Sequence, residues 1–346
     1  MKQDTLIGYN LGGRFVVEQL LDQEWLGKVY AARARSGELV SVKVLDPHMV
    51  EDPAFVGRFG REMMATAAVE SPHTVKMIDF GEHSIFHYLV LEYLVSDTVR
   101  HVLEEQGPFS EARATSLAVQ VAQGLSVAHT QGLVHRNLTP ESVILLRNVR
   151  GGDFAKIKDF GLSRLQDEFN ETLTSVGTRV GNPRYMAPEY IEEETFDHRG
   201  DLYALGIVLF EVLSGKPPYD DRSPGRLLNL QVTAAVPRLS EVGVKVSPWL
   251  EDLVFDLMAK SPAARPQSAQ QVIERVVRGL GHMPPEGVVV PLGHHGEVPE
   301  GVGWVEPAGS SRGGGSGMVL GAVGIGMALA LVLVLVLGAV AFFVLF

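Results

Sequence analysis

The chain has 346 residues, of which 46% are apolar and 21% charged, enough for one sizeable folded domain with a buried core and a short appended segment. Its formal net charge is −11 and no basic patch rises above the scatter, which argues against nucleic acid as a partner. The absence of cysteine excludes disulfides and thiolate metal sites and agrees with a cytoplasmic domain. His294-His295 reads as a solvated loop pair, no internal repeat is evident, and Met1-Lys2-Gln3-Asp4 opens no apolar signal region.

In chain order, Val40-Ser41-Val42-Lys43 is an alternating apolar strand that carries one lysine. Phe59-Gly60-Arg61-Glu62-Met63-Met64-Ala65 follows as a helical segment with a glutamate at Glu62. Then come His135-Arg136-Asn137-Leu138-Thr139-Pro140-Glu141-Ser142, the turn Asp159-Phe160-Gly161, and a polar, loop-like stretch with Thr172, Thr174, Ser175 and Thr178. Gly181-Asn182-Pro183-Arg184-Tyr185-Met186 leads into Ala187-Pro188-Glu189. The helix start Asp201-Leu202-Tyr203-Ala204-Leu205-Gly206 and the segment Ser261-Pro262-Ala263-Ala264-Arg265-Pro266 complete the series. A single lysine in a strand, or a single Asp-Phe-Gly turn, is more often structural than catalytic. Their order and spacing are what carry information.

In that order the segments resemble the landmarks of protein kinases. With Phe55-Val56-Gly57-Arg58-Phe59 before the helix glutamate, the chain is most similar to bacterial eukaryotic-like (Hanks-type) Ser/Thr kinases. The resemblance covers about residues 9–280 and implies an α+β, two-lobed fold. By that resemblance a small, mostly antiparallel β lobe is expected to about Leu91, a hinge near Glu92-Tyr93-Leu94, and then a larger helical lobe. It further implies that Lys43, held by an ion pair with Glu62, reaches ATP phosphates, and that Gly27, Val29, Glu92 and Leu94 line the nucleotide site. By the same resemblance Asp159 binds Mg²⁺. His135, Arg136, Phe160, Gly161 and Asp201 have structural roles, and Arg265 pairs with Glu189 to close the activation segment.

The same pattern marks departures. Asn137 stands where the family has its catalytic Asp, Thr139 where it has Lys, and Ser142 where it has the second metal-binding Asn. A neutral amide lacks the basic lone pair of a carboxylate, and general-base help is worth about 10²–10⁴-fold. Thr139 removes a cation near the transferred phosphoryl group, and Ser142 offers a shorter hydroxyl to a metal. Asn182 replaces the Thr that bridges the family's Asp and Lys, so the four positions read as one dismantled hydrogen-bond network. The glycine-rich loop falls on Asp22-Gln23-Glu24-Trp25-Leu26-Gly27, where only Gly27 survives. Asp22 and Glu24 add bulk and negative charge where a triphosphate would lie. ATP and Mg²⁺ are therefore expected to bind weakly.

Residues 281–317 change to a Pro-, Gly- and Ser-rich flexible linker, spanning on the order of 30–35 Å. Residues 318–346 form an uninterrupted apolar run, and about 20 such residues suffice to cross a bilayer as a helix. The expected topology is a single-pass tail anchor in the cytoplasmic (inner) membrane with the kinase-like domain in the cytoplasm. Two functions follow. One is a membrane-tethered pseudokinase that docks protein partners in signalling. The alternative is a slow Ser/Thr kinase in which Asn137 only orients the substrate hydroxyl. Thr172, Thr174, Ser175 and Thr178 are candidate phosphate acceptors for another kinase, with Arg136 as the cation that would hold the phosphate.

Overall fold

The computed structural model describes residues 6–147, 152–163, 165, 181–193 and 196–281, all within one unit of the chain. The first lobe is a six-stranded antiparallel sheet of β1 (Asn10–Leu11), β2 (Phe15–Glu24), β3 (Gly27–Ala34), β4 (Leu39–Leu45), β5 (Met77–His83) and β6 (Phe86–Glu92), in the order β1-β2-β3-β4-β6-β5. Two helices, α1 (Pro47–Val50) and α2 (Pro53–Ala67), join β4 to β5.

Side chains alternate across a strand, so β4 serves two cores at once. Val40, Val42 and Val44 pack with Phe15, Val17, Tyr30, Tyr88 and Val90 on one face. Leu45 on the other face joins Leu26 and Leu89 against α2. Helix α2 starts cleanly because Asp52 caps it by accepting from Ala54 N (2.9 Å) and Pro53 presets the first turn. It buries Phe55, Phe59 and Met63, one stripe at a spacing of four residues, each contributing roughly 1.5–3 kcal/mol.

The second lobe begins beyond Glu92 with α3 (Val99–Gln106) and α4 (Glu111–Thr130), and carries a small antiparallel sheet of β7 (Asp97–Thr98), β8 (Val143–Arg147) and β9 (Asp153–Ile157). Helices α5 (Pro188–Glu193), α6 (His198–Ser214), α7 (Pro224–Thr233), α8 (Pro248–Leu257) and α9 (Ala269–Leu280) complete it. Every residue of α6 from Gly200 to Leu213 is buried, so this helix is the axis around which the lobe is built. Gly206 permits that packing, since an added Cβ would stand 2.7 Å from the Leu257 Cβ. The expected two-lobed architecture, with the hinge at the end of β6, is what the structure shows.

One buried cation ties the lobe's far end together. Arg265 donates from Nε to Ala259 O (2.8 Å), from its two terminal nitrogens to both Glu189 oxygens (2.7 Å each), and to Arg199 O (2.9 Å) and Lys260 O (3.0 Å). All five guanidinium donors are used, which a lysine's three cannot reproduce. Arg265→Ala is expected to lower unfolding free energy by about 3–5 kcal/mol, and Arg265→Lys to recover less than half of that, read from urea midpoints.

Candidate active site

The segment from His135 to Ser142 has no helix or strand of its own and is held from below by α6. Asp201, fully buried in the first turn of that helix, accepts from His135 N and Arg136 N (2.8 Å each) and pairs with His129 Nε2 (2.8 Å). Burial pushes the Asp201 carboxyl up, but the bond and charge of His129, with His135, outweigh it and hold it below its ordinary value. His135 Nδ1 accepts from Asn137 N (3.3 Å), so Nε2 carries the proton and donates to Lys158 O (2.8 Å). The His135 ring stands edge-on to Phe160 at 4.8 Å, and Ser163 Oγ donates to His135 O.

Arg136 and Asp159 both adopt left-handed backbone (φ 67° each), which non-glycine residues hold only where their surroundings over-determine it. The Arg136 guanidinium lies over the Phe196 ring at 5.9 Å.

The substituted positions are satisfied locally. Thr139 N donates to Ser142 Oγ (2.9 Å), Ser142 Oγ donates back to Thr139 O (2.9 Å), and both side chains are buried. Ser142, expected as a metal ligand, thus has its hydroxyl engaged inside the loop. Asn137 Oδ1 accepts from Asn182 N (3.3 Å), while Asn182 Oδ1 accepts from Arg184 N (3.1 Å). The two segments are joined by one side-chain amide and one backbone N–H, a link that needs no charge, while the Asn182 side chain is turned to Arg184.

The expected Lys43–Glu62 ion pair is not formed. Lys43, only 3% exposed, has its Nζ 2.5 Å from Glu24 Oε2 and 2.9 Å from Asp159 Oδ1. Burial alone would pull its ammonium pKa down; Asp159 and Glu24 outweigh that and raise it. Lys158 completes the cluster, with Nζ 3.5 Å from Glu24 Oε1 and 3.6 Å from Asp159 Oδ2. For Asp159, burial pushes the carboxyl up, and Lys43, Lys158 and His135 reverse this and bring it to about 2.

Glu62 instead runs along the Asp159-Phe160-Gly161 turn. A Cβ built on Gly161 would lie 3.7 Å from Glu62 Oε2, and Thr66 Oγ1 donates to Phe160 O (3.3 Å) and Glu62 O (2.9 Å). Leu162 and Leu165 bury themselves in the same core as Phe55, Phe59 and Met63 of α2. Leu162 and Leu165 therefore pack against α2, and Glu24 holds the place beside Lys43.

Glu24 and Gly27 pair directly across a two-residue turn, and Leu26 at its tip is wholly buried. Gly27 is required by close approach, since a Cβ there would collide with Val44 O, and its φ is +146°. Val29 faces Lys43 directly across β3 and β4, so both lie on one face of the sheet. The Glu92 side chain is turned to the lobe connection, accepting from Lys156 Nζ (2.6 Å) and Lys76 N (2.7 Å). Leu94, half-buried, lies in the irregular segment that follows. Thr172, Thr174, Ser175 and Thr178 lie outside the described residues, as do residues 282–346.

Two features were missed from the sequence. Lys158 is adjacent to the Asp159 turn, and its cationic side chain was a visible signal. Arg100 had no signal: it donates to Glu141 (2.8 Å), Glu211 (2.9 Å) and Tyr185 OH (2.6 Å), while Tyr185 OH donates to Glu211 (2.5 Å). This network ties Glu141 of the His135–Ser142 segment to Tyr185 before α5.

Residues 15–277 match the protein kinase domain family, and the chain belongs to it. It is 31% identical over 273 residues to the serine/threonine-protein kinase pkn3 of Myxococcus xanthus, covering 77% of this chain and 50% of that protein. It is 32% identical over 268 residues to the serine/threonine-protein kinase PknH of Mycobacterium bovis, covering 77% and 44%. The chain thus spans half or less of the length of these relatives. The kinase domain of Mycobacterium tuberculosis PknI has the same fold, with a TM-score of 0.60 at 24% identity, over 80% of this chain and all of that one. The domain is a bacterial Ser/Thr kinase domain, a family that generally uses ATP and Mg²⁺ and acts on proteins in signalling.

The donor set fits the family's metals poorly. Asp159 has an ammonium group on each oxygen, and Ser142 Oγ already donates to and accepts from Thr139. Because the folded-state value of Asp159 is depressed to about 2, its contribution to stability is complete above the ordinary carboxylate pKa of about 4 and is lost as pH falls through about 2. Asp159→Asn should therefore lower the urea midpoint at pH 7, with the deficit closing between about pH 4 and pH 2. A deficit constant across that window would show that the charge contributes nothing.

Proposed function

We propose that this chain is a membrane-anchored pseudokinase, a catalytically impaired member of the family that serves in signalling as a binding or scaffold module for protein partners and still takes a nucleotide. The observation that carries this reading is Asn137. It stands at the base position, it has no basic lone pair, and its Oδ1 already accepts the Asn182 N–H. Loss of the base accounts for about 10²–10⁴-fold in rate, and the blocked Lys43 adds to it.

In this reading Lys43, Val29 and the Glu92–Leu94 segment border the nucleotide, with Gly27 shaping the hairpin above it. The threonines and serine between 172 and 178 accept phosphate from another kinase, and Arg136 is the cation that would meet it. In the same reading residues 9–280 are the domain, 281–317 the linker and 318–346 the span, and by family resemblance the domain is on the cytoplasmic face of the inner membrane. Among the described residues no helix is long and apolar enough to cross a membrane; the proposed span lies outside them. A slow Ser/Thr kinase is the second reading, favoured by the retained contact of Lys43 with Asp159 at 2.9 Å.

Incubation of the purified protein with labelled ATP and Mg²⁺ or Mn²⁺ should give no incorporation above that of Asp159→Ala. Phosphorylation that disappears in this variant would sink the pseudokinase reading and establish the slow kinase. Deleting residues 318–346 should move the protein from the carbonate-resistant membrane fraction to the soluble one; a full-length chain that is already soluble overturns the anchor.

A further inference from the structure

Glu24, Lys43, Asp159 and Lys158 form a closed ring in which each carboxylate bridges both ammonium groups. Glu24 uses Oε2 on Lys43 (2.5 Å) and Oε1 on Lys158 (3.5 Å); Asp159 uses Oδ1 on Lys43 (2.9 Å) and Oδ2 on Lys158 (3.6 Å). The Glu24 carboxylate thus makes the two-oxygen, two-cation contact that a phosphate group makes with a pair of lysines. The geometry points to a nucleotide site that needs no divalent cation: the phosphates of a nucleoside triphosphate displace the Glu24 carboxylate and are held by Lys43 and Lys158. This rests on the reading of the domain as a nucleotide-binding pseudokinase.

Three observations favour it. First, the ring carries two positive and two negative charges, so departure of Glu24 leaves one uncompensated positive charge beside Asp159, a setting that calls for an anion. Second, a metal would have to share Asp159 with two ammonium groups already on its two oxygens, and the Ser142 hydroxyl is turned inward to Thr139 O. Lys158 lies where it can supply the positive charge that such a metal would bring. Third, the exchange requires only a side-chain movement. Leu26 anchors the β2–β3 turn in the core, but the Glu24 side chain is 21% exposed and that of Lys158 27%, so both border solvent.

The test uses the full chain in detergent micelles with ATP as the probe, in excess EDTA and in Mg²⁺, read by calorimetry. The wild type should bind ATP in EDTA about as tightly as in Mg²⁺. Removing the competing carboxylate in Glu24→Gln should tighten binding in EDTA by about tenfold or more, and Lys158→Gln should weaken it by a similar factor. Lys158→Arg keeps the charge and should retain binding in EDTA, which separates charge from packing; urea midpoints confirm that each variant is folded. Binding that appears only with Mg²⁺, or that is unchanged in Lys158→Gln, overturns the metal-free site while leaving the pseudokinase reading intact. Absence of ATP binding in both the wild type and Glu24→Gln, with and without Mg²⁺, overturns the metal-free site together with the nucleotide-binding part of that reading, and leaves its catalytic impairment untouched. The pseudokinase reading fails on a different readout, the transfer of label that depends on Asp159.

Discussion

The alternation of two ammonium groups with two carboxylates at the cleft is the interaction on which the site depends. Lys43 lies on a strand whose Val40, Val42, Val44 and Leu45 sit in apolar cores, and a buried ammonium costs several kcal/mol to desolvate unless it is paired. Opposite charges about 3.5 Å apart attract by roughly 5 kcal/mol at an effective dielectric of 20, so attraction and desolvation nearly cancel. The ring therefore contributes position more than stability. It fixes the β2–β3 hairpin against the Lys158-Asp159 segment, and the His135 bond to Lys158 O carries that constraint to Asp201 at the start of α6.

Scaffold and chemistry are separable in this molecule. Asp201, His135, the Arg265–Glu189 pair and the Arg100 network hold backbone and helices, and none of them depends on what stands at 137, 139 or 142. Asn at 137 and Thr at 139 leave no buried charge without a partner there, and the side chains of Ser142 and Asn137 find neutral backbone partners nearby. The kinase fold is thus compatible with a neutral amide at 137 and hydroxyls at 139 and 142.

Much of the fold was legible because its determinants are local or periodic. The β4 alternation, the stripe of Phe55, Phe59 and Met63, and the Asp-Phe-Gly and Ala-Pro-Glu segments are short patterns with fixed geometric meaning. The Arg265–Glu189 pair was legible only through family resemblance, since 76 residues separate the two. Misplacing the partner of Lys43 has a specific cause. Two carboxylates, Glu24 and Glu62, are within the first lobe's reach, and spacing along the chain cannot rank them. Burial of Leu162 and Leu165 against α2 accompanies the choice, and that is a packing event between segments about 100 residues apart.

By itself the sequence determined the family, the order of elements, the neutral amide at Asn137 and the apolar run at 318–346, because each is a property of residue type and spacing. Only the tertiary structure decided which charges meet: that Glu24 closes on Lys43, that Lys158 joins Asp159, and that Ser142 turns to Thr139. A direct ion pair needs its nitrogen and oxygen within about 4 Å, so which pairs form depends on how separate segments are brought together and not on any one segment's composition.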